Sequence, residues 1–140
     1  MLELRAHHIC CAPFVTRTSK TPKKRGSEFY QLHREAMTAL TSQPDTEVRV
    51  IEGGDALCLA CVHYSDGACM NVALGEVEIR KWDAEVLRDV DILLGTCLTA
   101  GEWQALIKQK TPYQRCQICI LNKRNKNPDA ICSIAQAMVD

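Results

Sequence analysis

The chain has 140 residues, with 17 Lys+Arg against 17 Asp+Glu, and so carries no formal net charge at pH 7. Such a balance gives no global field to draw it onto nucleic acid or an anionic membrane, and neither partner is expected. The length predicts one domain, residues 1–140, able to bury an ordinary core. Nine cysteines are the outlier: the number is high and odd, which fits poorly with a closed disulfide framework.

Leu2, Leu4 and Ala6 alternate with Glu3, Arg5 and His7, the period of a half-buried strand. Pro13 biases Ala12 away from the helical region, so the stretch from His7 to Ala12 is expected to enter a turn. The segment "TRTSKTPKKRG", residues 16–26, reads as an exposed basic loop with no aromatic residue for base stacking. Ser27 reads as the cap of a helix that places Phe29, Leu32, Ala36, Met37 and Leu40 on one face. Val48 and Val50 alternate with Glu47, Arg49 and Glu52 in a second short strand, stopped by Gly53 and Gly54 and paired with residues 2–6.

A cysteine-bearing loop is expected to run to about Gly75. Asp83 then reads as the cap of a helix with an inner face of Val86, Leu87, Val90, Leu93 and Leu94, ended by Gly95. Thr99 with Glu102 fits a capping box for a helix from Trp103 to Lys110. After Cys116 and Cys119, "NKRNKNPD" reads as a polar hinge before a last helix carrying Ile131, Ile134, Ala135 and Met138. The expected class is α+β and mainly helical: a two-stranded β pair, four to five helices, and cysteine-bearing metal-binding loops.

The compartment decides what the cysteines mean. "ICCAPFV" is too short for a signal-peptide core, Glu3 stands where positive charge would be needed, and no small-residue cleavage site follows. No run approaches the ~20 apolar residues of a membrane span. A cytoplasmic chain with reduced thiols is expected, where spaced cysteines point to metal or redox chemistry.

Two C-x2-C knuckles carry that chemistry, Cys58 with Cys61 and Cys116 with Cys119. Two intervening residues let a tight turn aim both sulfurs at one atom. Each knuckle has an outlying cysteine, Cys69 for the first and Cys132 for the second. Two knuckles in one chain are a strong signal for metal, but ferredoxin spacings are absent. The knuckles also stand much further apart than the roughly 15–20 residues of a zinc ribbon. For the first site, "HHICC" is the expected source of a fourth ligand. Cys10 and Cys11 point to opposite sides in extended geometry, so one of them at most serves it. His7, His8 and His63 each read as a ligand, a proton donor or a hydrogen-bonding side chain. Cys97 reads equally as a ligand or as packing.

The blocks "LELRAHHICC", "VRVIEGGDALCLAC" followed by Cys69, "WDAEVLRDVDILLG" and "TAGEW" resemble the domain of unknown function 1284 family of prokaryotic proteins. Ala6 and Ala56 stand where the family's motifs carry glycine and aspartate, and Cys10 where they carry an apolar residue. Carried over by position, the resemblance implies Cys11, Cys58, Cys61 and Cys69 as cluster ligands and an iron–sulfur or other metal-thiolate protein. No reaction follows from it.

The sequence thus leads to one principal expectation. Cys11, Cys58, Cys61 and Cys69 hold one iron–sulfur cluster, of 4Fe-4S type. Cys116, Cys119 and Cys132 hold a second, with Cys97 or Cys10 as its fourth ligand. The role is electron transfer or redox sensing with a redox partner protein. Two alternatives use the same cysteines: a structural zinc-binding interaction protein, and an iron–sulfur enzyme with one open iron.

Overall fold

The structure is a computed structural model. It describes residues 1–17, 26–70, 75–119 and 130–139. The fold is mainly helical α+β. Strand β1 (Leu2–Arg5) runs into a short helix α1 (Ala6–Cys10), a 3-10 turn (Ala12–Phe14) and β2 (Val15–Arg17). Helix α2 (Ser27–Ser42) leads to β3 (Glu47–Ile51), α3 (Ala56–Ala60) and a small hairpin, β4 (Tyr64–Ser65) with β5 (Ala68–Cys69). Helix α4 (Gly75–Val90), β6 (Cys97–Thr99) and α5 (Ala100–Lys110) follow, then a 3-10 segment (Gln114–Ile118), β7 (Ala130–Cys132) and α6 (Ser133–Val139).

The central sheet has the order β1-β3-β6. The expected pairing of the first two strands is present, and it is parallel, with Leu2 opposite Val48 and Leu4 opposite Val50. The crossover that parallel strands require is supplied by the segment carrying α1 and α2. Sequence reasoning missed β6, whose three residues are too few to show a period; it pairs antiparallel with β3, setting Leu98 against Val48. Two further two-stranded sheets are β4 with β5 and β2 with β7. The second is antiparallel and sets Val15 opposite Cys132, joining the N-terminal segment to the end of the chain.

Leu4, Val48 and Val50 are fully buried and meet Phe29, Ala36 and Leu40 of α2, Val86 and Val90 of α4, and Trp103 and Ile107 of α5 in one core. The Trp103 indole N–H donates to the Val48 carbonyl across 2.9 Å, so the ring both fills space and tethers α5 to the sheet. Trp103→Phe, which removes that donor and some volume, is expected to cost about 1–2 kcal/mol in denaturant unfolding.

Several boundaries differ from expectation. The turn expected after His7 is the helix α1. Ser27 is the first residue of α2, whose N-cap is Gly26. Helix α4 begins at Gly75, and Asp83 lies inside it with its carboxylate turned to the protein interior. It also ends at Val90, because Asp91 takes a left-handed conformation (φ 60°), which leaves Leu93 and Leu94 exposed instead of on the inner face. The Thr99 cap is as read: its hydroxyl accepts from the Glu102 N–H at 3.2 Å. The polar hinge falls outside the described residues, as does most of the basic loop. No described helix is long and apolar enough to cross a membrane.

Candidate functional site

Where β1 turns into α1, the chain delivers Arg5, His7 and His8 into the interior, and three carboxylates meet them there. The Arg5 side chain is fully buried. Its Nε donates to Asp83 Oδ2 at 2.8 Å, and Nη1 and Nη2 to Glu76 Oε1 and Oε2 at 3.2 and 2.7 Å, a two-pronged clasp on α4. The same Nη1 reaches Cys58 Sγ at 3.7 Å. His7 donates from its backbone N–H and its ring Nδ1 to Asp83 Oδ1, at 2.9 and 2.7 Å. His8 donates from Nδ1 to Asp55 Oδ2 at 2.6 Å.

Asp55 is the N-cap of α3, and its placement follows from that role: Oδ1 accepts from the Cys58 N–H at 3.0 Å. Oδ2 accepts in addition from the Arg5 N–H at 2.9 Å, which ties β1 to the first knuckle. Two carboxylate–histidine pairs therefore lie side by side, with ring centroids 4.2 Å apart. Both carboxylates hold Nδ1 and fix the ring orientation.

Electrostatics follow from burial and pairing. Burial works against the Arg5 charge, but Glu76 and Asp83 outweigh it and raise its pKa further. Burial would raise Asp83; the His7 ring and Arg5 reverse this and hold it at about 2. Asp55 is likewise held well below the carboxylate range, burial being overcome by the His8 ring and the Arg5 and Cys58 N–H groups. Glu76 is lowered, with Arg5 outweighing desolvation. Burial, with His7 beside it, lowers the pKa of His8 and so favours the neutral ring. Cys58 is pushed up to about 12 by burial and by Asp55.

All of these depressed values act in one direction. A group whose pKa is lower in the folded chain stabilises above its unfolded pKa, and that stability is lost as pH falls through the folded value. Acid sensitivity is therefore expected to begin below pH 6.5, where an unfolded His8 would take up a proton, and to steepen below about 4 as Asp83 heads for its folded pKa of about 2. Asp83→Asn lowers stability at neutral pH, but its further loss between pH 4 and pH 2 is expected to be smaller than wild type's by about 2 kcal/mol. Denaturant unfolding of both chains across that range measures the difference.

The cysteines divide into groups. Cys58 lies beside Arg5 and Asp55. Cys61, its knuckle partner, donates its N–H to the Cys58 carbonyl at 3.0 Å, closing the expected turn. Cys69 lies on β5 opposite Tyr64, so the hairpin folds it back toward the knuckle. Its N–H donates at 3.2 Å to the same Glu76 oxygen that Arg5 Nη1 holds. Within the expected loop lies a helix, α3, that ends at Ala60, before Cys61.

The second group forms around the C-terminal knuckle, and it includes Cys11. Burial raises the Cys11 pKa, and the thiols that add most to the rise are Cys10, Cys119, Cys116 and Cys132. The backbone explains the gathering. The Cys119 N–H donates to the Cys116 carbonyl at 3.3 Å, and β7 sets Cys132 opposite Val15, four residues past Cys11. The Tyr113 hydroxyl donates to the Cys10 carbonyl at 2.9 Å and fastens the 3-10 segment to α1. Burial also raises Cys116, with Cys132 contributing. The sequence reading grouped Cys11 with the first knuckle; in the fold the thiols that act most on it are Cys10 and the three cysteines of the second group.

Cys10, Cys97 and His63 are the remaining candidates. Cys10 is fully buried in the core, and burial with Asp83 nearby pushes its thiol up to about 12. Cys97 is exposed on β6, in register with Arg49. His63 is half-buried, and its carbonyl accepts from the Met70 N–H in the hairpin.

Among the described residues, one set of metal-donor side chains brings its ligand atoms within 4.8 Å of one another: His8, Asp55 and Cys58. Cys116, Cys119 and Cys132 are among the thiols that act most on Cys11, and no three of these four meet that spacing.

No curated protein and no solved structure matches this chain. A family model does, described as "Protein of unknown function (DUF1284)", over residues 26–124. That span holds both knuckles, Cys69 and Cys97, and excludes Cys10, Cys11 and Cys132. The match covers well over half of the chain, which therefore belongs to the DUF1284 family.

Proposed function

We propose that this chain is an iron–sulfur protein of the reducing cytoplasm, with a 4Fe-4S cluster ligated by Cys11, Cys116, Cys119 and Cys132. The observation that carries the reading is the convergence of these four thiols from three separate parts of the chain, around a site where Cys116 and Cys132 are buried. The donor set fits the group. A single zinc ion, with Zn–S bonds of about 2.3 Å, draws four sulfurs to roughly 3.8 Å from one another. A cluster sets several iron atoms between the thiolates and so spans a wider spacing, and no three of these four thiols bring their sulfurs within 4.8 Å of one another. Burial raises the pKa of Cys11 and of Cys116, the metal-free condition of such thiols, and metal binding would displace those protons.

When bound, the cluster would supply one-electron chemistry. The chain's own residues would hold it, exclude water through the burial of Cys116 and Cys132, and donate backbone hydrogen bonds around the thiolates, levers that set cluster potentials. Four thiolates leave no open iron for a substrate, so electron exchange with a redox partner, or redox sensing, is the role that follows. Protein isolated without exposure to air is expected to contain iron and acid-labile sulfide in similar amounts and to absorb in the visible. Absence of both from such protein would contradict the assignment.

A further inference from the structure

Away from both cysteine groups, a half-open apolar cleft of about 140 Å³ lies between α2, β1 and α3. We propose that this cleft binds a small organic cation, with an apolar body the size of a benzene ring and one positively charged amine head.

The sequence makes the space. Leu32, Glu35, Ala36 and Ala39 recur at helical spacing, so α2 carries all four along one stripe. The stripe lines the cleft together with the leucines of β1 and with Ala56 and Leu57 of α3. Ala36, Ala39 and Ala56 stand where longer side chains would meet across the gap and close it. The resulting volume is close to the ~150 Å³ that admits a benzene ring in an aliphatic-lined cavity, so size selects a single ring or a short branched chain. Leucine and alanine walls offer such a body no hydrogen bonds, and it enters by leaving water.

One lining group is charged, and it sets the sign of the head. Glu35 is exposed, and among the described residues its carboxylate pairs with no cation; the Gln31 amide donates to it at 3.3 Å. An anion in the cleft would be repelled by this carboxylate, and a neutral hydrophobe would leave it unanswered. A cation answers it while the apolar body fills the space beneath. Solvent screens Glu35, so the head contributes selectivity and the body most of the affinity. An occupant would rest against Ala56 and Leu57, the two residues between Asp55 and Cys58, and so against the helix that carries the first knuckle. The inference stands independently of the iron–sulfur reading.

Benzylamine is the probe, with benzyl alcohol as its neutral counterpart and benzoate as its anionic one. Each is titrated at neutral pH into the full-length chain while backbone amide NMR shifts are followed. Benzylamine is expected to give saturable shifts confined to α2, β1 and α3 around the cleft. Benzyl alcohol is expected to bind about 2–5-fold more weakly, the worth of an exposed ion pair, and benzoate more weakly still. Ala39→Leu, which fills the cleft from a half-buried position, is expected to lower benzylamine affinity by about tenfold or more. Glu35→Gln is expected to bring benzylamine down to the affinity of benzyl alcohol. Because Glu35 is exposed, that variant keeps its fold and decides the matter even where Ala39→Leu does not fold. No saturable shift with benzylamine, equal affinity for the amine and the alcohol, or undiminished amine binding in either folded variant would overturn the inference.

Discussion

Arg5→Met is expected to destabilise the domain by about 3–5 kcal/mol, a large share of the ~5–15 kcal/mol that holds a domain folded. Methionine is apolar and of similar length, so little volume is lost. The loss comes from what remains: Asp83 and Glu76, each with a side chain only 11% exposed, would keep their charges with the His7 ring alone beside Asp83 and the half-exposed Arg80 alone beside Glu76. Desolvating an unanswered charge costs far more than the net worth of the pair that neutralised it. The cause can be isolated. Adding Asp83→Asn and Glu76→Gln to Arg5→Met is expected to restore part of the stability by removing the stranded charges. A loss under about 1 kcal/mol in denaturant unfolding would show that Arg5 is solvated and that β1 and α4 are not joined through it.

The role of Arg5 shows where sequence reasoning stops. Glu3 and Arg5 occupy equivalent positions in an alternating strand, and the pattern assigns both to solvent. Glu3 is exposed, whereas Arg5 is fully buried because β1 ends there and the next residue opens α1. Burial of that cation depends on Glu76 and Asp83, which are distant in the sequence, and no local pattern announces them. Asp83 shows the same limit from the other side. An aspartate ahead of an apolar 3.6-period run resembles a helix cap, and only the position of Arg5 and His7 reveals an interior carboxylate. Asp55 reads as one acidic residue in a polar loop until α3 is seen to start on it.

Strong periods were legible. The paired strands at Leu4 and at Val48 with Val50, the face of α2 and the Thr99–Glu102 cap follow from patterns that short-range physics fixes. The third strand, β6, was not, since three residues cannot display a period of two. The cysteine grouping lies between these cases. Each knuckle is a local motif and was readable as such. The partner of Cys11 depends on β2 pairing with β7, a contact between the two ends of the chain, and spacing along the sequence carries no trace of it.

That grouping is the centre of the account, and the adjacent pair Cys10 and Cys11 offers the sharpest test of it. The two thiols are neighbours in sequence but differ in surroundings. Cys10 packs in the core among aliphatic side chains, while the Cys11 thiol is acted on by Cys119, Cys116 and Cys132 as well as by Cys10. Iron and acid-labile sulfide should therefore be measured in anaerobically isolated Cys10→Ala, Cys11→Ala and Cys61→Ala chains beside wild type. Cys11→Ala is expected to lose most of its iron and sulfide, while Cys10→Ala and Cys61→Ala retain them. Equal loss in the Cys10 and Cys11 variants, or loss in Cys61→Ala with retention in Cys11→Ala, would contradict the assignment of Cys11 to the C-terminal cluster.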